Sequence, residues 1–143
     1  IMKKIALLIL LLFITNVSFS QSIFGKWNSF DEETNKVESV IEVYQKDGKA
    51  FAKIKKINDQ TRKDAKCVAC NGKLKNAPIL GMNILTGLKK DGDEWSGGKI
   101  LDPKNGKEYK CYIKLIDNNT LKLRGYIGIS MFGRTAIWKR AEE

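Results

Sequence analysis

The chain carries 26 Lys and Arg against 16 Asp and Glu over 143 residues, a formal charge of +10, with three Cys, two Pro and no His. Without histidine there is no Ser-His-Asp or Cys-His pair, no His-ligated zinc or haem, and no imidazole base near neutral pH. The length fits one domain, and an apolar content of 43% is enough to build its core.

Residues 1–20 read as a secretory signal peptide. Lys3 and Lys4 form a basic start, Ile5 to Ile14 is an uncharged run of ten apolar residues, and Ser18 and Ser20 stand at the −3 and −1 positions before Gln21. Ten residues cover about half of the ~20 needed to span a bilayer, so the segment is expected to be cleaved rather than to anchor. No Cys follows it, which argues against lipid attachment. What remains is one domain over residues 21–143, with no transmembrane helix and a periplasmic or extracellular location. It keeps 24 cationic side chains against 16 acidic ones, a charge of +8. An exported chain seldom meets nucleic acid. The basic excess therefore reads as a solvated surface, or as attraction to an anionic surface or partner in the cell envelope.

Past the leader, nearly every periodic segment has period two. The predicted strands are Gly25–Phe30, Val37–Gln45, Ala50–Asn58, Met82–Lys90, Glu94–Leu101, Lys107–Ile116, Thr120–Ile127 and Arg134–Arg140. Ile41 and Val43, Ile113 and Leu115, and Leu121 and Leu123 are apolar on one face, with Glu42, Lys114 and Lys122 on the other. The breaks carry turn chemistry. Asp47-Gly48 and Asp91-Gly92 signal tight hairpins, Pro103 suits a type I turn, and Asp117-Asn118-Asn119 tolerates left-handed backbone. Connections this short force neighbouring strands to be antiparallel. Eight strands in up-and-down order leave two exposed edges unless the sheet closes, so the predicted fold is an all-β, antiparallel barrel. Gly87, Gly97, Gly98 and Gly125 suit the kinks that let a sheet curl. The long connection from Asp59 to Leu80 is read as a short helical turn or a flap.

Cys67 and Cys70 form a C-x-x-C inside that connection, and Cys111 stands apart. An oxidising compartment favours a loop disulfide between the first two, with free thiols and redox or zinc chemistry as the alternatives. A zinc site lacks a fourth His or Cys ligand. Cys111 alternates with Tyr109, Ile113 and Leu115 and is expected to be a buried, inert thiol.

Enzyme patterns fail on inspection. Gly128-Ile129-Ser130-Met131-Phe132 imitates a nucleophile elbow, but Phe132 replaces the second Gly and there is no base. Carboxylate pairs would have to come from Glu38, Glu42, Asp93, Glu94 or Asp102, mostly in turns. No enzyme activity, metal or cofactor is expected. The predicted inward columns are Ile41, Val43, Ala52, Ile54, Ile84, Leu88, Cys111, Ile113, Leu115, Leu121, Leu123 and Ile137. An eight-stranded barrel is either filled by such side chains or holds one small ligand. A lipid-like apolar or amphipathic molecule would contact Ile54, Ile84, Leu88, Ile113 and Leu123, with Arg124 and Tyr126 as further contacts and Lys or Arg holding an acidic head group at the mouth. A filled barrel would instead make the protein a structural or interaction module. Ile129, Met131 and Phe132 belong to a Gly-flanked connection that either docks a partner or seals the barrel end.

Gly25-Lys26-Trp27 opens the first strand and Trp138-Lys139-Arg140 ends the last. In a closed barrel these meet, placing Trp27 near Trp138 and Arg140 as a closure, with a guanidinium stacked on an indole. This Gly-x-Trp and terminal Arg resemble the lipocalin and wider calycin superfamily. A more specific resemblance spans most of the chain. It includes Gly25-Lys26-Trp27, Cys67-Val68-Ala69-Cys70-Asn71-Gly72, Pro78-Ile79-Leu80-Gly81-Met82 and Gly87-Leu88-Lys89-Lys90. It continues through Ser96-Gly97-Gly98-Lys99-Ile100-Leu101-Asp102-Pro103 and Arg124-Gly125-Tyr126-Ile127-Gly128. Together these are similar to the exported bacterial family known as domain of unknown function 2147. That resemblance implies an envelope or secreted location and a calycin-like barrel, and no activity.

Overall fold

A computed structural model describes residues 22–142. The leader predicted at residues 1–20 lies outside the described residues. Eight strands follow one another: β1 (Gly25–Phe30), β2 (Val37–Lys46), β3 (Lys49–Ile57), β4 (Asn83–Asp91), β5 (Glu94–Asp102), β6 (Lys107–Asp117), β7 (Thr120–Tyr126) and β8 (Gly133–Arg140). Each pairs antiparallel with the next, and β8 returns to β1 through Trp27↔Arg140 and Asn28↔Lys139, closing an up-and-down barrel. Every predicted strand end falls within one residue of the observed one.

Turn chemistry explains those ends. Asp47 and Gly48 both take positive φ, 52° and 75°, as a two-residue hairpin turn of the primed type requires. The Asp117 turn works differently from its prediction. Neither Asn118 nor Asn119 is left-handed; instead the Asp117 carboxylate accepts from the Asn119 backbone N–H at 2.8 Å. Inside the sheet, Gly98 has a packing reason, because a Cβ there would collide with the Thr86 carbonyl of β4.

The connection between β3 and β4 is no loose flap. It holds two short 3-10 turns, Gln60–Arg62 and Gly72–Leu74, and a bridge between Lys66 and Pro78. Cys67 and Cys70 are disulfide-bonded. With Met82 and Leu101 they form a small core of their own, separate from the barrel interior. The disulfide leaves neither sulfur available as a zinc thiolate. The β5–β6 turn packs beneath, where a Cβ on Gly106 would meet the Ala69 carbonyl.

Inward columns follow the predicted parity with two departures. Ile137 is 41% exposed and lies outside, because its neighbour Trp138 is 4% exposed and turned inward; alternate residues of a strand cannot share a face. Leu115 is only half-buried, packed against the edge of the core. The deepest residues, among them Trp27, Leu85, Leu88, Cys111, Ile113 and Leu121, are fully buried.

Candidate functional site

The two ends of the barrel differ. At one, the segment before β1 folds across the opening. Ile23 is buried, its carbonyl accepts from Trp27 Nε1 at 2.8 Å, and Phe24 meets Trp95 edge-on with ring centroids 5.5 Å apart. The Arg140 guanidinium lies 4.2 Å from the centre of the Trp27 ring. Its nitrogens donate to the carbonyls of Asn118, Phe24 and Ser22 at 2.8, 3.3 and 2.7 Å. Gly25 makes this possible: its φ is +124°, and a Cβ would stand 3.3 Å from Arg140 Nη1. Trp27 and Arg140 thus meet as the barrel-closure pair. Trp138 lies deeper, facing the interior from below.

The other end is open. A cavity of about 1420 Å³ runs inward from the side carrying the β1–β2, β3–β4, β5–β6 and β7–β8 connections. Ile41, Ile54, Ile84, Ile100 and Leu123 form its apolar wall, with Trp138 on its floor. Beneath, Trp27, Leu88, Cys111, Ile113 and Leu121 pack without residual exposure. One half of the interior is therefore filled and the other is hollow. Gly125 widens the hollow half: a Cβ there would meet only Ile100 Cγ2 at 3.6 Å and Tyr109 Cβ at 3.8 Å, both ordinary contacts.

Hydroxyls interrupt the apolar wall. Ser29 and Ser39 are both buried with their Oγ atoms 2.6 Å apart, and Tyr109 Oη accepts from Asn105 Nδ2 at 3.1 Å. The serines share the inward parity of Trp27 and Ile41, so the strand pattern carried that signal although neither was singled out. Charge is confined to the rim, where Asp31, Glu32, Glu33, Glu38, Asp59 and Asp102 outnumber Lys36, Arg62, Lys104 and Arg134. The Asp31 carboxyl is held below its usual range, chiefly by hydrogen bonds from the Thr34 backbone and hydroxyl. Lys104 is held above its usual range, first by its contact with Glu38, whose Oε1 lies 2.8 Å from Nζ. Arg134 pairs with Glu32.

Of the residues predicted as ligand contacts, Ile54, Ile84, Leu123 and Tyr126 line the cavity. Leu88 and Ile113 do not; they belong to the filled half, where neighbouring side chains leave them no exposed surface. Arg124 does not reach the cavity either. It alternates with the inward Leu123, and its guanidinium donates to the carbonyls of Ser130 and Met131 and to Thr135 Oγ1 at 2.9, 3.2 and 2.9 Å. It props the β7–β8 connection instead. Nor is the rim the cationic collar expected for an acidic head group.

A closed eight-stranded antiparallel barrel, plugged at one end by a Trp–Arg stack and open at the other, is a lipocalin-like fold. Protein HP1028 from Helicobacter pylori, described as belonging to the lipocalin family, has a similar structure, with a TM-score of 0.76 and 24% identity over 87% of this chain and 86% of that one. At that identity the likeness extends to the fold alone. The chain belongs to the family described as "Uncharacterized protein conserved in bacteria (DUF2147)", which it matches over residues 25–140. No curated protein matches it.

Proposed function

We propose that this protein binds a small apolar or amphipathic molecule, lipid-like in shape, in the open half of the barrel. The observation that carries this reading is the hollow of about 1420 Å³ with aliphatic walls. Binding sites for small molecules are concave and mostly apolar, with a few polar groups that fix orientation. Here Ser29, Ser39 and Tyr109 supply those groups. The carboxylate-rich rim disfavours a free anion at the mouth, and Lys104 is already surrounded by Glu38, Asp31 and Asp102. A neutral or zwitterionic amphiphile suits the rim better than a fatty acid. The reading is one of binding, and the one free thiol, Cys111, is buried and offers the hollow no nucleophile. A disulfide in the β3–β4 connection fits an exported protein, as does the leader-like N-terminal sequence.

Displacement of a fluorescent acyl-chain probe tests the proposal, with lysophosphatidylcholine, a long-chain alcohol and a fatty acid as competitors. The native protein is expected to take up the probe and to release it to the first two more readily than to the acid. Gly125→Leu fills the hollow without backbone strain, since Gly125 is not left-handed. It should weaken probe binding at least about tenfold, the loss of roughly 1.4 kcal/mol. Absence of probe uptake, or equal affinity in Gly125→Leu, refutes the cavity as the binding site.

A further inference from the structure

The β7–β8 connection, residues 127–132, carries four apolar side chains that find no cover among the described residues. Ile127 is 70% exposed, Ile129 58%, Met131 75% and Phe132 70%. Scattered exposed apolar residues are ordinary, but a contiguous group marks a contact surface. The connection is also held in shape. Phe132 N–H donates to the Ile129 carbonyl at 3.1 Å, and Arg124 fastens the Ser130 and Met131 carbonyls from outside. A fixed backbone therefore presents apolar tips to solvent.

The wall next to that tip is cationic. The outer register of β6 and β7 pairs Lys110 with Tyr126, Tyr112 with Arg124, and Lys114 with Lys122. Lys114 is bound to Asp93 at 3.0 Å, while Lys110, Lys122 and Arg124 have no carboxylate partner among the described residues. Lys122 Nζ lies 5.7 Å above the Tyr112 ring. The order along the barrel is thus an apolar tip, then tyrosines and cations.

We infer that this face docks the protein onto a bilayer containing anionic phospholipid. Ile129 and Met131 enter the acyl boundary, Tyr126 and Tyr112 lie at head-group level, and Lys110 and Lys122 meet lipid phosphates. Each class of side chain then occupies the depth its chemistry favours. A nucleic acid would leave the apolar tip unused, and a neutral protein surface would leave the unpaired cations unused. Ile127 and Phe132 also border the cavity, so docking sets one edge of its mouth beside the bilayer. This inference does not depend on the cavity holding a ligand.

Co-sedimentation tests it, using the protein as recovered from cells and vesicles of either phosphatidylcholine alone or a three-to-one mixture of phosphatidylcholine with phosphatidylglycerol. Binding is expected to the mixed vesicles only, and should weaken as salt shortens the screening length. The Ile129→Asp/Met131→Asp variant alters two exposed side chains that do not line the cavity, and should lower the partition at least tenfold while probe uptake is retained. Lys110→Glu/Lys122→Glu should lower it comparably. Gly125→Leu should leave it unchanged, which separates failure of docking from failure of cavity binding. Equal binding to both vesicle types, no binding, or undiminished binding by Ile129→Asp/Met131→Asp overturns the inference. So does a self-association that buries Met131, which would assign the face to a second copy of the chain.

Discussion

Burial alone pushes the Cys111 thiol up to about 12. The sign of the effect follows from which state holds the proton more tightly. Below the unfolded value of about 8.5 the thiol is protonated in both states and contributes no pH dependence. Between that value and about 12 the unfolded chain releases a proton that the folded chain keeps, so this group's stabilisation is lost as pH rises. The same protonation makes it a poor nucleophile. At pH 9 iodoacetamide is expected to spare Cys111 in the folded protein and to alkylate it in urea, measured by intact mass. Alkylation of the folded protein at the unfolded rate would contradict the buried, neutral thiol. The inert character of Cys111 was legible because it alternates with apolar neighbours. The role of Arg124 was not, because its partners are carbonyls of a connection whose path no periodicity describes.

Among the connections, the one between β3 and β4 is the longest and carries its own structure. Its disulfide closes a very short ring, for which chain-entropy arguments give about 2 kcal/mol. Cys67 and Cys70 also pack with Met82 and Leu101, so removing the bond loosens a local unit while leaving the barrel ladder intact. Cys67→Ala/Cys70→Ala should therefore keep the far-ultraviolet spectrum of the native protein and gain a protease cut within residues 58–82. Loss of the whole β signal would show that the barrel depends on this unit. The strands were readable from sequence because period two and turn residues agree along the chain. Ile137 was assigned to the wrong face because β8 has apolar residues at 136, 137 and 138, and only the bulk of Trp138 decides which side goes in. Ile84 and Leu85, consecutive and both buried, break the period beside the register shifts of the β3–β4 ladder.

For the molecule as a whole, what mattered most was invisible in the pattern. Ile113 and Leu88 belong to the same class of inward aliphatic as Ile84 and Leu123, yet the first two are packed and the second two border a hollow. The difference is height along the barrel axis. One end is plugged by Ile23, Trp27 and Arg140, and among the described residues no comparable plug fills the other. The mixed outcome reconciles the two sequence expectations, a filled barrel and a hollow one, in a single interior. Plug and hollow should respond separately to change. Arg140→Met removes a guanidinium stack and three hydrogen bonds to carbonyls. It should cost about 2–4 kcal/mol in urea unfolding while probe affinity stays within about twofold. A variant that lost probe affinity without losing stability would show that the two ends are coupled.

The β1–β8 seam also sets an order of events. Only Trp27↔Arg140 and Asn28↔Lys139 join these strands, while Arg140 fastens carbonyls at Ser22 and Phe24, 118 and 116 residues away along the chain. Such distant contacts are slow to form because loop entropy must be lost before they are rewarded. Six of the seven sequential pairings span short connections and can assemble locally, the β3–β4 pairing spans residues 58–82, and the ring waits for its final strand. Until then β1 and β8 are both open edges. Closure of this seam, rather than collapse, is the step expected to commit the chain to its native state.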